Sequence, residues 1–309
     1  MTVIHLSKSD MKKQIKRAIY EPFFQVTKNV RANFAKNQKG RENNFFIHSI
    51  PGFETIAPVM TITRSLESST GNAIQKCARN ISILTYGRCN VPTIINPNNL
   101  EFDLDDAQIQ EKLKHALGQK QSKKDIADIL HTTDRQVIVS NISDANPTVE
   151  QFMSRNNATH ENIKSLLTEK ISYPNIHFVP IDLGYFVPTT NEHEQPLLHI
   201  HEIKAGGNLD SKNAHANARK LFTHYCHANY PNAKVYFSTA YNNKGEGEKF
   251  HGSIVNHLSD EMILSGSSFW ETILPEEITF ATFKRLYQEV MEEMQFSKLI
   301  YTIFQPENE

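Results

Sequence analysis

The chain has 309 residues, 39% hydrophobic and 22% charged, with a formal net charge of −1. That length allows one large domain or two modest ones with ample core, and the composition is that of an ordinary globular protein. No apolar run approaches the roughly 20 residues needed to span a bilayer, and the lysine-rich N-terminus is followed by no apolar signal core, which argues against membrane insertion and secretion. Cys77, Cys89 and Cys226 are unpatterned; they read as free thiols of a cytoplasmic protein and imply no zinc site.

Charge is unevenly spread. Residues 1–41 carry ten Lys/Arg against two acids, and residues 271–309 carry eight acids against three Lys/Arg. The basic end suits either a phosphate backbone or a solvated helix face. In chain order, Ser9 to Tyr20 reads as a short amphipathic helix interrupted by Pro22, with a second helix through Phe24, Val30 and Phe34. Asn37 to Asn44 reads as an exposed loop. Apolar residues at helical spacing predict a long helix from Ile62 to Tyr86. Val91 to Leu104 reads as irregular. Asp105 to Leu117 and Lys123 to Leu130 are helical, and Gln136 to Ser140 is a short strand. Residues 123–137 faintly echo a helix-turn-helix, against which stands a plain packing helix. One more helix is expected within Pro147 to Leu167.

From Asn175 the texture turns to strand and turn. Ile176 to Ile181 reads as a β-rich run ending at Asp182, and Leu183 to Val187 continues extended. Leu197 to Lys204 is a strand, broken by Gly206-Gly207. A helix follows from Asp210 or Ser211 to about His227, and Lys234 to Tyr241 and Met262 to Ser265 are strands. Phe280, Phe283, Tyr287, Val290 and Met294 stripe a last helix, and Leu299 to Phe304 is expected to close as a strand.

The chemistry concentrates in the middle of this region. Side chains two apart on a strand point the same way, so Leu198, Ile200, Glu202 and Lys204 share a face with the polar pair at its C-terminal end. Asp182 can arrive beside them from the neighbouring extended segment. Two carboxylates with the backbone carbonyl of Ile203 are a ligand set for Mg²⁺, which takes oxygen donors and keeps several waters. Such an ion lowers the pKa of a bound water and shields a phosphate. Lys204 would orient that water and neutralise developing charge. The bland alternative is a solvated acid–lysine pair. After Lys204, the Ala205 to Asp210 turn leads into a helix whose first turns carry Lys212, Asn213, Asn217, Arg219 and Lys220. Together with Asn208 these suit contacts to phosphates and base edges, or a solvated face over inward Ala214, Ala218 and Leu221.

An acid followed by Glu-x-Lys at strand ends is the PD-(D/E)xK nuclease pattern. More specifically, His201 to Ala214 resembles the catalytic block of TdeIII-type type II restriction endonucleases. Val235 to Asn243 is similar to the strand and loop that follow it there. Ile263 to Trp270 resembles that family's closing Gly-x-x-Phe-Trp element, and Arg64 to Gly71 its early helix. The similarity runs from about Ser49 to Glu292 and is strongest over residues 176–275.

The resemblance implies an α/β restriction-endonuclease-like PD-(D/E)xK core over residues 171–309, with a central mixed sheet flanked by helices. A mostly helical region, residues 1–170, would precede it and serve DNA wrapping or dimerisation, including the early helix 62–86. It implies a Mg²⁺-dependent homodimer cutting double-stranded DNA at a short palindrome, with a lean to GG-N-CC. A cognate DNA methyltransferase is expected in the same cell. Asp182, Glu202 and Lys204 are the implied catalytic set, and Glu67 a candidate accessory acid. Trp270 is expected as a core anchor, and His199 and His201, on the strand face opposite Glu202, as packed or solvent-facing histidines rather than ligands. The rival readings are a repair or structure-selective nuclease of the same fold and a non-enzymatic DNA-binding regulator.

Overall fold

The computed structural model describes residues 7–42, 52–95, 107–119, 125, 129, 137–139, 147–155, 157–167, 176–177, 181–189, 191, 194–206, 211–228 and 230–302. Its contacts divide the chain into two compact units, Met1–Ile81 with Ile273–Glu309, and Ser82–Thr272. The C-terminal helices therefore group with the N-terminal ones, and the expected boundary between residues 170 and 171 falls inside the second unit.

The first unit is helical. Helix α1 spans Lys8–Glu42 and helix α2 spans Phe53–Tyr86, whose last residues enter the second unit. Helices α7 (Phe280–Glu293) and α8 (Phe296–Tyr301) complete it. Two sequence expectations are corrected here. Pro22 lies inside α1 rather than between two helices, and α1 runs on through residues 37–42, which read as loop. Ile15, Ile19, Phe23, Val26 and Val30 are all buried and recur every three or four residues across the proline. Burying each large side chain contributes about 1.5–3 kcal/mol. Together they outweigh the hydrogen bond that Pro22 cannot make, a penalty of about 3 kcal/mol. The α1 stripe packs on α7, where Phe23 meets Tyr287 edge to face at 5.2 Å and Lys16 pairs with Glu289 at 2.9 Å. The expected C-terminal strand is instead helix α8 over Phe296–Tyr301.

The second unit holds two sheets. Strands β1 (Thr93–Ile95), β2 (Val137–Val139) and β3 (Ile176–His177) form a small parallel sheet. The stretch 91–104 therefore contains a strand where irregular chain was expected. The larger sheet has the order β4-β5-β6-β7, with β4 (Leu183–Val187) antiparallel to β5 (Leu197–Lys204). Strands β6 (Ala233–Thr239) and β7 (Ile263–Ser265) continue parallel to β5. Mixed sheet and helical N-terminal region agree with the α/β class expected from the sequence. Helix α3 is Ala107–Gly118 and α4 is Pro147–Met153. The helix-turn-helix echo over residues 123–137 falls almost wholly outside the described residues.

Parallel neighbours cannot be joined by a tight turn, so the chain crosses from β5 to β6 through helix α5, Ser211–Ala228. Ala214, Ala218, Leu221, Phe222 and Tyr225 of α5 are buried against Leu198 and Ile200 of β5 and Val235 and Phe237 of β6. Phe152 of α4 closes this core edge to face on Phe222 at 5.5 Å. The short helix α6, Ser267–Trp270, buries Trp270, whose indole N–H donates to the Ala240 carbonyl at 2.8 Å. Trp270 is thus the core anchor that its composition suggested.

Candidate active site

Strand β5 divides its side chains between two environments by simple alternation. Its odd positions face rings: His199 Nδ1 meets the Tyr185 hydroxyl at 2.9 Å, and His201 Nδ1 meets the Ser238 hydroxyl at 2.9 Å. Burial holds the His199 imidazole down to about 4 and His201 well below the ordinary histidine value. Both are neutral packing groups, the packed one of the two readings open to that face. The even positions face α5, where Leu198 and Ile200 are core and Glu202 and Lys204 follow at the strand end.

Asp182 reaches the same end from the neighbouring strand. The sequence placed it at the end of a run from Ile176; the structure places it immediately before β4, and Ile176–His177 pairs in the other sheet. Because β4 runs antiparallel to β5, the start of β4 lies beside the end of β5, in the register Leu183↔His201. The Asp182 N–H donates to the His201 carbonyl at 3.3 Å. The Ile203 N–H donates to Asp182 Oδ2 at 2.8 Å. The amide N–H and C=O of one strand residue point to the same side, so the Ile203 carbonyl faces the Asp182 edge of β5.

Glu202 is the buried centre of this group, its side chain only 1% exposed. Lys204 Nζ donates to its Oε1 at 2.7 Å. Two residues of α5 complete the surround. Lys220 Nζ stands 2.6 Å from Glu202 Oε2 and 3.8 Å from Asp182 Oδ1, and His224 Nε2 lies 3.5 Å from Glu202 Oε2. Burial alone would push the Glu202 carboxyl up. The His224 contact and the Lys204 and Lys220 ammoniums outweigh it and hold Glu202 below the usual carboxylate range. Asp182 goes the other way. Burial, then repulsion from Glu202, pushes it up to about 7 against the pull of Lys220, Lys204 and the Ile203 N–H. Two neighbouring carboxylates whose environments drive them apart are what an acid–base or cation-binding site requires.

The donor set fits a hard divalent ion. It offers two carboxylates and a backbone carbonyl on one edge, with Lys220's ammonium standing in as the cation between the acids. Mg²⁺ needs no more than one or two carboxylates, the balance being water. Among the described residues, no group of three or more His, Cys, Asp or Glu side chains is placed to hold a metal ion.

The remaining candidates are scattered more widely. Lys212 and Asn213 are exposed at the start of α5, and Asn217 is half-buried one turn on. Arg219 pairs with Glu150 of α4 at 3.1 Å. Lys220, read from sequence as a DNA contact, sits at the carboxylates instead. Asn208 lies outside the described residues. Glu67 is exposed on α2 in the first unit, whereas elements of the second unit alone assemble the trio. Sequence reasoning missed His224. The available signal was its i, i+4 spacing from Lys220 on a helix that packs against β5. Gly206, just past Lys204, lies so close to the Tyr241 ring that a Cβ there would overlap it.

No curated protein and no solved structure matches the chain significantly. The family model of the type II restriction endonuclease HinfI matches residues 11–291. It carries the class of enzyme that the TdeIII-type resemblance implied, without that finer grouping. With nearly the whole chain matched, including every residue gathered around Glu202, this protein belongs to the HinfI family of type II restriction endonucleases, which are site-specific deoxyribonucleases.

Proposed function

We propose that this enzyme hydrolyses phosphodiester bonds in both strands of a short palindromic DNA site, on a PD-(D/E)xK core, with Mg²⁺ held by Asp182, Glu202 and the Ile203 carbonyl. The single observation that carries the reading is the meeting of Asp182, Glu202 and Lys204 at the paired ends of β4 and β5. Restriction endonucleases generally use a divalent metal. Bound here, such an ion would acidify a water and offset phosphate charge. Asp182 is oriented for it by the Ile203 N–H, and Glu202 is kept ionised by its cationic surround. Lys204, tethered to Glu202 and one-third exposed, can hold a water or a phosphate oxygen at the cleft mouth. Lys212, Asn213, Asn217 and Arg219 on α5 would contact the duplex beside it, and salt would weaken that contact steeply.

A palindrome has two equivalent halves, so the enzyme would act as a homodimer with one cleft per strand. The host would carry a cognate methyltransferase that protects the same site. The test is to digest a random double-stranded DNA library in Mg²⁺ and sequence the ends. Discrete palindromic ends, lost with Lys204→Ala, support the reading. Ends without common sequence, or equal cutting by the variant, overturn it. The same ends report whether the site is of the GG-N-CC kind and what overhang is left.

A further inference from the structure

Lys220 is not needed to hold α5 in place. The helix is anchored by Ala214, Ala218, Leu221, Phe222 and Tyr225, all buried, whereas the Lys220 side chain is 39% exposed. Yet its ammonium turns inward and contacts both carboxylates, while Lys204 reaches Glu202. Two buried like charges side by side are costly unless a cation joins them. A divalent ion held by these two carboxylates would meet a positive charge already on their oxygens.

We propose that Lys220 is an internal counter-cation of the cleft: its ammonium neutralises Asp182 and Glu202 in the metal-free protein and leaves those oxygens when a divalent cation enters. This rests on the metal assignment above. Its partly exposed side chain gives the ammonium a route to water, so it can leave without being stranded in an apolar environment. The arrangement keeps the acids together before the metal arrives and sets the affinity of the cleft below what the two carboxylates alone would give.

The experiment is calorimetric titration of the full-length, DNA-free protein with Mn²⁺ and with Mg²⁺. Lys220→Met is expected to bind either ion about tenfold more tightly than the wild type, because a like charge competing within a few ångströms is removed. Lys220→Arg, which keeps the charge, should stay much nearer the wild-type value. Thermal melts give an independent readout. Lys220→Met should melt lower than the wild type in EDTA and recover the difference in saturating Mg²⁺, whereas a merely structural lysine would cost the same in both. If Lys220→Met does not fold, Lys220→Gln is titrated in its place.

Unchanged or weaker metal binding in the neutral variant overturns the proposal while leaving the metal site intact. Asp182→Asn separates that failure from the deeper one. If the wild type binds no ion, or Asp182→Asn binds as well as the wild type, the metal assignment falls and the role of Lys220 with it.

Discussion

Asp182→Asn should make the metal-free enzyme more stable while abolishing its activity. The Asp182 carboxyl lies largely buried beside Glu202 and is raised from 3.8 to about 7, so the fold favours its protonated form. Stability linked to this group is fully present below its unfolded value and is lost as pH rises to about 7. At pH 8 the native state then carries an ionised, repelled carboxylate, with a ceiling of about 4 kcal/mol on the cost. Asparagine removes the charge at nearly constant volume, and its carbonyl oxygen can still accept the Ile203 N–H. The buried amide has its own desolvation cost, so a net gain of about 1–3 kcal/mol is expected. Trp270, the single tryptophan, lies in the same unit as Asp182. Urea denaturation in EDTA, followed by its fluorescence, reads the change directly. The gain should shrink to less than half at pH 5, where the wild-type carboxyl is already largely protonated. A variant less stable than the wild type at pH 8, or equally favoured at both pH values, refutes the argument. DNA cleavage in Mg²⁺ should meanwhile fall by about 10³-fold or more, since a metal-binding carboxylate is gone.

Lys204→Ala should lower cleavage by about 10²–10⁴-fold, the range for removing a positioned charge from a reacting centre, while electrophoretic binding to cognate DNA in Ca²⁺ changes only a few-fold. Because the proton competes with the metal for Asp182, apparent Mg²⁺ affinity should rise about tenfold per pH unit below about 7 and level off above, as read by calorimetry across pH 5.5–8.5. Gly206→Ala forces the half-exposed Tyr241 ring off its position, at a cost of about 1 kcal/mol, and adding Tyr241→Ala should restore wild-type urea stability.

Much of the site was legible along the chain because its logic is local. Period-two alternation in Leu197–Lys204 sorts Glu202 and Lys204 from His199 and His201 whatever packs on either face. The breaker after Lys204 and the polar, alanine-containing run after Ser211 likewise announce a strand end and a helix facing a core. The acid–Glu–x–Lys order named Asp182 as a partner of Glu202, and the antiparallel pairing of β4 with β5 brings the two together. Pro22 and the polar residues 37–42 look like punctuation when only neighbours are counted. α1 continues through the proline because its stripe, Ile15 to Val30, is buried and packs on α7. Residues 299–301 have strand-like composition yet extend the helical end of the unit that begins with α1.

What the amino-acid order determined by itself was the alternation of β5, the helix after it and the Glu–x–Lys pair, since each depends on residues within a few positions of one another. The tertiary structure decided which side of α5 meets Glu202. It turned Lys220 from a presumed DNA contact into a partner of both acids, brought His224 in beside it, and drove Asp182 and Glu202 to opposite protonation behaviour. Those outcomes depend on burial and on distances of a few ångströms between distant parts of the chain, and neither quantity exists until the sheet and the helix have packed.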